Sequence, residues 1–304
     1  MDTNSKSSNN VGVILVSHGS TLPYAEEVFT EIKEKFIAKT GLAAEIGYMK
    51  VSEPTISGAV EILKDEVDDL DKIIALPVFL APGIHTNIDI PQLLGLEPLE
   101  EDPRCPDGNY PPEHYLSIAD DVVFDGEIEL LSSIGPRDEL LDIIDKRIDE
   151  ALAESELGDV STGVLLVTHG SRLNYNKEFA TALFSKFEKS TDSPSNFGFM
   201  ELCGPSIPES INKLADENDI ERLVVVPVFI APGMHTTHDI PHILGFLEEH
   251  EHEHSHSHSH GHGDHDHVHD LTPVEFDGEI LYPEPIKADD ILIDILAKMV
   301  DEAL

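Results

Sequence analysis

Four histidines of the 304-residue chain stand in two matched settings, and imidazoles so placed can hold a divalent metal and exchange protons near neutral pH. His18 and His169 each end an apolar run and precede Gly-Ser, in VGVILVSHGS at 11–20 and TGVLLVTHGS at 162–171. His85 and His235 follow an Ala-Pro-Gly turn, in LPVFLAPGIHTNIDIPQLLG at 76–95 and VPVFIAPGMHTTHDIPHILG at 226–245. Aligning GYMKVSEPTI at 47–56 with GFMELCGPSI at 198–207 sets Lys50 opposite Glu201. The second set is then His169, Glu201 and His235, two imidazoles and a carboxylate suited to a first-row metal, with coordination positions left for a substrate. The first set, His18 and His85, has a cation where the carboxylate would be. A lone His after a strand also serves as a hydrogen-bonded cap, so it is the pairing that points to chemistry. His238 and His242 have Ile88 and Gln92 as counterparts and read as metal relays or solvent-facing groups. Lys50 and Arg172 are cations available to a substrate carboxylate, and Cys203 is a soft ligand or a small buried filler.

Positioning these groups requires the ends of strands. The first matched pair of segments lies 151 residues apart (11 to 162) and the second 150 apart (76 to 226). A third pair, VVFDGEI at 122–128 and VEFDGEI at 274–280, lies 152 apart. Collinear repeats at a near-constant offset mean a duplicated domain, with its boundary near 155–161. The expected division is a disordered tail at 1–10, a first half at 11–155 and a second at 156–304. Each half runs from an apolar strand (13–17, 164–168) through a helical pattern to a β-rich stretch (43–49, 196–202). A second helical pattern, a third apolar run (72–79, 222–229), a fourth strand (127–131, 279–282) and a closing amphipathic helix follow. Leu140, Leu141, Ile144 and Ile148 mark that helix in the first half. The alternation predicts an α/β fold of two tandem homologous halves, each a parallel four-stranded sheet flanked by helices, with a cleft between them. In such a sheet the first and third strands are neighbours and ligands sit beyond the carboxyl edge, so both imidazoles of a half face one cleft.

Each half has an insertion before its fourth strand. The first, 97–120, is rich in Pro and acid. The second, 248–270, holds His250, His252, His254, His256, His258, His260, His262, His265, His267 and His269, ten of the 17 histidines. Alternating with Ser, Gly and acid, they offer no apolar face and predict a mobile loop that takes up divalent metal. The segment is internal and irregular, unlike an affinity tag.

The chain carries 60 Asp and Glu against 19 Lys and Arg, a formal charge of −41, which excludes nucleic acid as a partner. Hydrophobic residues make up 40%, so the chain folds, and a charge this large points to a salt-adapted cytoplasmic protein. Two cysteines without CxxC spacing argue against a disulfide framework and a thiolate zinc site. The polar start and the lack of a long apolar run predict neither a signal peptide nor a membrane span. GxxxxGK[ST], GxGxxG and GxSxG are absent, so neither ATP, a dinucleotide nor serine-hydrolase chemistry is expected.

With His-Gly-Ser at 18–20 and 169–171, Phe-Met-Glu at 199–201 and APGxHTxxDIP at 81–91 and 231–241, the chain resembles the class II tetrapyrrole chelatases, nearest the sirohydrochlorin cobaltochelatases of the CbiX type. The resemblance covers nearly all of both halves apart from the tail and the insertions. It implies ATP-independent insertion of a divalent metal, Co²⁺ first, into sirohydrochlorin in the anaerobic-type cobalamin pathway. Siroheme-type ferrochelation and nickel chelation stand close behind. It further implies that His18 and His169 act as catalytic proton acceptors and metal ligands, joined by His85 and His235, with Glu201 at the acidic second-strand position. Lys50 departs from that pattern. Long members of the family carry the complete set in the N-terminal half, whereas here it is C-terminal. The macrocycle is expected against Phe79, Leu80, Ala81, Pro82, Gly83 and Ile84 and against Phe229, Ile230, Ala231, Pro232, Gly233 and Met234, its carboxylates near Lys50 and Arg172. A reading of a different class, a metal-storage protein or metallochaperone, rests on the His-rich insertion. Duplication within one chain permits a self-sufficient monomer, with neither nucleic acid nor membrane as partner.

Overall fold

The computed structural model describes residues 10–106, 108–171, 173–247 and 272–304. Residues 1–9 of the expected tail, Arg172 and the His-rich insertion with its ten histidines lie outside the described residues. Two compact units are present, one made of Met1–Ile143 with Ile286–Leu304 and one of Ile144–Pro285.

In the first unit, β1 (Val11–Ser17), β2 (Ala43–Tyr48), β3 (Lys72–Pro77) and β4 (Glu127–Leu130) form a parallel sheet in the order β2-β1-β3-β4. Val13, Ile14, Leu15 and Val16 are all solvent-excluded, the unbroken apolar run of a strand covered on both faces. Between the strands run α1 (Pro23–Thr40) and α2 (Ile56–Glu66). Helix α1 buries Ala25, Val28, Phe29, Ile32 and Phe36 along one stripe. It stops at Gly41, whose φ of 70° and N–H bond to the Ile37 carbonyl close the helix in the left-handed conformation. Helix α2 starts at Thr55, whose hydroxyl accepts from the Gly58 amide. After β3 come a π-turn at His85–Asp89 and the short helices α3 (Ile90–Leu93) and α4 (Tyr115–Ile118), then β4 and α5 (Glu139–Glu154).

The second unit repeats the plan with β5 (Thr162–Thr168), α6 (Asn174–Ser190), β6 (Ser195–Phe199), α7 (Ile207–Glu217), β7 (Arg222–Pro227), a π-turn at His235–Asp239, α8 (Ile240–Ile243) and β8 (Glu279–Leu281). Its sheet is parallel in the order β6-β5-β7-β8. Helix α7 opens with a capping box between Ser206 and Glu209. The four strands expected per half are present, and in each sheet the first and third strands are adjacent.

Each closing helix lies, in whole or in part, in the compact unit of the other repeat. The last helix, α9 (Asp290–Asp301), belongs to the first unit, where it buries Leu292, Ile293, Ile295, Leu296, Met299 and Val300. Lys35 Nζ reaches the Ala288 carbonyl at 2.7 Å and Asp290 at 3.0 Å, Lys39 pairs with Asp294, and Lys72 Nζ bonds the Ala303 carbonyl at 2.8 Å. From Ile144 onward α5 belongs to the second unit. There Arg147 Nε bonds the Pro285 carbonyl at 3.0 Å, and Ser155, just past the helix, meets Glu279 and Arg222. The compact units therefore do not follow the repeat boundary at 155–161. Periodicity shows that α5 has an apolar face, and only the folded chain shows which compact unit takes it. No described helix is long and apolar enough to cross a membrane.

Candidate metal centre

The switch point of each sheet lies between its first and third strands, where strand carboxyl ends leave a crevice. In the second unit three side chains converge there. His169 follows β5, Glu201 lies two residues past β6, and His235 opens the π-turn after β7. His169 Nε2 is 3.2 Å from His235 Nε2 and 3.5 Å from Glu201 Oε1. Among the described residues this trio is the group of three or more His, Cys, Asp or Glu whose ligand atoms come within 4.8 Å of one another.

Backbone constraints set each group. Gly170 has φ 93°, and a Cβ there would lie 1.9 Å from the Glu201 carbonyl oxygen. The His-Gly turn thus requires glycine on two counts, and its close fit holds the turn against the segment that follows β6. In the π-turn, the Ile240 amide donates to the His235 carbonyl, a widened ring of the kind that often carries functional side chains. The preceding loop is fixed by Thr236, whose Oγ1 accepts from the Gly233 amide at 2.9 Å.

Hydrogen bonding fixes the tautomers. His169 Nδ1 lies 2.9 Å from the Gly170 carbonyl and His235 Nδ1 lies 2.8 Å from Asp239 Oδ2. Both partners only accept, so both Nδ1 atoms carry the proton and both neutral rings present an Nε2 lone pair. Two lone pairs 3.2 Å apart repel unless a cation or a proton stands between them. A metal about 2.1 Å from each nitrogen would see them at an angle of roughly 100°, suited to tetrahedral or octahedral coordination. Burial lowers the His169 pKa, with the His235 imidazole pushing the same way, which keeps the ring in its ligating form. Asp239 is held below the ordinary carboxylate range: burial works against this, but bonds from His235 and His238 outweigh it. Cys203 is half-buried and stands outside the trio.

The first unit repeats the frame with different charges. Gly19 has φ 87°, and a Cβ there would come 1.9 Å from the Lys50 carbonyl oxygen. His18 Nδ1 donates to the Gly19 carbonyl at 3.0 Å and His85 Nδ1 to Asp89 Oδ2 at 2.6 Å. The two rings stand 5.1 Å apart. Lys50 occupies the position of Glu201, its Nζ 5.2 Å from the centre of the Tyr115 ring. Burial lowers the His18 pKa to about 4, and Lys50 and His85 add to the shift. The Lys50 pKa is lowered by burial, against the pull of Asp89.

The first insertion folds onto this site. Asp89 is 0% exposed and accepts from Arg104, Tyr115 and His85. Arg104 is tied in turn to Asp102 at 2.7 Å. Burial raises the Asp89 pKa but these three bonds bring it below the usual range. Asp89 and Asp239 have a signal in the sequence, since each stands four residues after the second His of its half. Arg104 and Tyr115 have no counterpart in the repeat, which is why periodicity does not reveal them.

Of the expected apolar segments, Phe79 and Phe229 each pack on their own core and lie beside a site imidazole, at 6.5 Å from His85 and 6.5 Å from His169. Met234 is exposed. The expected carboxylate contact Arg172 lies outside the described residues.

The family model described as CbiX matches residues 12–151 and again 163–303. A sirohydrochlorin cobaltochelatase of Methanothermobacter thermautotrophicus is 48% identical over 145 residues, which is 47% of this chain and 92% of the relative. A probable sirohydrochlorin cobaltochelatase of Halobacterium salinarum is 26% identical over 231 residues, 75% of each chain. Among solved structures, SirB from Bacillus subtilis with Fe3+ aligns with a TM-score of 0.66 over 96% of this chain and 95% of its own. At 17% identity that likeness speaks for the fold.

Proposed function

Because the chain belongs to the CbiX family, we propose that it inserts a divalent metal, Co²⁺, into sirohydrochlorin without ATP, as in the anaerobic-type route to cobalamin. The observation that carries this reading is the convergence of His169, Glu201 and His235 on one point, with both imidazole Nε2 atoms free to ligate. Two pyrrole N–H protons must leave the macrocycle as the metal enters. When the ion passes to the ring nitrogens, the Nε2 lone pairs of His169 and His235 are released and take up those two protons. Charge balances: the dianionic ring takes the metal, and two imidazolium ions remain. Burial, which lowers the His169 pKa, then favours return of its proton to water, restoring the ligand. Asp239 steadies the His235 ring through Nδ1 throughout. Phe229, beside His169, offers an apolar surface for the macrocycle.

Two imidazoles and a carboxylate do not choose among Co²⁺, Fe²⁺ and Ni²⁺ by ligand type, and the names of the relatives are what favour cobalt. The test is the change in sirohydrochlorin absorbance on adding each metal, in the absence of nucleotide. No absorbance change with any of the three sinks the reading. The ten histidines of 250–269 motivate metal storage as a second reading. Deleting 248–270 separates the two: at saturating Co²⁺ the shortened chain is expected to retain insertion, and loss of activity there would make the segment the functional part.

The charge of −41 bears unequally on the two substrates. It attracts cations and repels a polycarboxylate, and both effects fade as the Debye length shrinks to about 3 Å in 1 M salt. A high-salt cytoplasm is the setting this proposes. Raising KCl is expected to tighten sirohydrochlorin binding and weaken Co²⁺ binding, as read by separate equilibrium titrations. The opposite order contradicts the assignment.

A further inference from the structure

The helix leading away from His235 carries two more imidazoles. His238 lies in the π-turn and His242 in α8, four residues apart and therefore on one face. Their rings are parallel, at an interplanar angle of 1°, with centroids 6.3 Å apart. Both side chains are exposed, open to an ion from solvent. Two histidines at this spacing on one helical face are a recurrent divalent-metal chelate. In the first half the counterparts cannot do this: Ile88 is fully buried, and Gln92 bonds the Tyr110 hydroxyl at 3.0 Å.

Asp239 joins this pair to the metal centre. Its Oδ2 accepts from His235 Nδ1 at 2.8 Å and its Oδ1 from His238 Nδ1 at 3.1 Å. His238 therefore has its proton on Nδ1 and its lone pair on Nε2, as His235 does. One carboxylate thus orients a ligand of the inner site and a ligand of the outer pair, and its negative charge favours a cation at either.

We propose that His238 and His242 form a second divalent-cation site, an antechamber from which the substrate metal passes to His169, Glu201 and His235. A soft-to-borderline first-row cation bound by two imidazoles fills its remaining positions with water, so it is held more loosely than at the three-ligand centre and can be handed on. The relay role rests on the proposed insertion reaction; the site itself does not.

The binding test uses the full-length chain carrying His169→Ala and His235→Ala, with the ten histidines of 250–269 replaced by Asn, in about 1 M KCl to screen the acidic surface. Calorimetric titration with CoCl₂ is expected to find one site per chain, lost when His238→Ala and His242→Ala are added. No binding before the last two changes, or undiminished binding after them, overturns the site. In the otherwise native chain, His242→Ala, which leaves the bonds of Asp239 to His235 and His238 in place, is expected to raise KM for Co²⁺ about three- to tenfold while kcat at saturating Co²⁺ holds. A fall in kcat with KM unchanged overturns the relay. If the native chain inserts no metal, the reaction reading fails, and calorimetry alone decides the site.

Discussion

Replacing His169 and His235 together with alanine is expected to lower Co²⁺ insertion by about 100-fold or more, the usual scale for losing a group that moves protons in the rate-limiting event. The same change at His18 and His85 is expected to cost less than about tenfold, since that half lacks the carboxylate a bound divalent ion needs. The asymmetry comes from one position. Glu201 is 13% exposed and stands 3.5 Å from His169 Nε2, so an ion between the imidazoles finds a compensating charge. In the first half an ammonium occupies that station, and it already depresses the His18 pKa. A divalent ion there would meet the same repulsion doubled. The assay follows sirohydrochlorin absorbance at saturating metal, with circular dichroism confirming that each variant is folded. A larger loss at His18 and His85 would assign the chemistry to the first half, and equal losses would divide it between the two.

Much of this arrangement was legible before folding because duplication gives each position an internal control. The repeat locates His18 against His169 and His85 against His235, and strand alternation puts all four at carboxyl edges, where the structure has them. Lys50 against Glu201 is likewise visible as a mismatch in an otherwise matched pair. What stayed hidden has a common cause: it depends on contacts between segments far apart in the chain. Whether α9 covers the first sheet is set by the fit of Leu292, Leu296 and Val300 to their surroundings and by Lys35 and Lys39, more than 250 residues upstream of their partners. Arg104 reads as an ordinary surface base in an acidic insertion, and only folding brings it onto Asp89. The requirement for Gly19 and Gly170 is of the same kind, since the clash that forbids a side chain comes from the carbonyls of residues 50 and 201.

Lys50→Glu in the chain lacking His169 and His235 is expected to return insertion activity, at least about tenfold above that background, by building in the first half the ligand set removed from the second. The backbone argument is direct. The Met49 amide bonds the Ser17 carbonyl at 2.9 Å, as the Met200 amide bonds that of Thr168 at 2.9 Å. Side chains at 50 and 201 therefore leave equivalent points beside equivalent His-Gly turns. His18 and His85 already have Nδ1 committed to acceptors and Nε2 directed away, so only the third ligand is missing. For charges about 4 Å apart, exchanging +1 for −1 beside a divalent ion changes their Coulomb energy by about 4 kcal/mol even at the dielectric constant of water. That corresponds to roughly a thousandfold in affinity. The same exchange removes the ammonium that lowers the His18 pKa, so His18 also becomes a better proton acceptor. The cost is the contact of Lys50 with the Tyr115 ring, about 0.5–1 kcal/mol at a partly exposed site, while Tyr115 keeps its bond to Asp89. Activity is again read from sirohydrochlorin absorbance with Co²⁺, in parallel with Lys50→Gln, which removes the charge without supplying a ligand. Recovery with glutamate and little with glutamine identifies the carboxylate as the deciding group. No recovery with either, in protein that folds, would mean that the Arg104–Asp89–Tyr115 brace, and not Lys50, is what keeps the first half from metal.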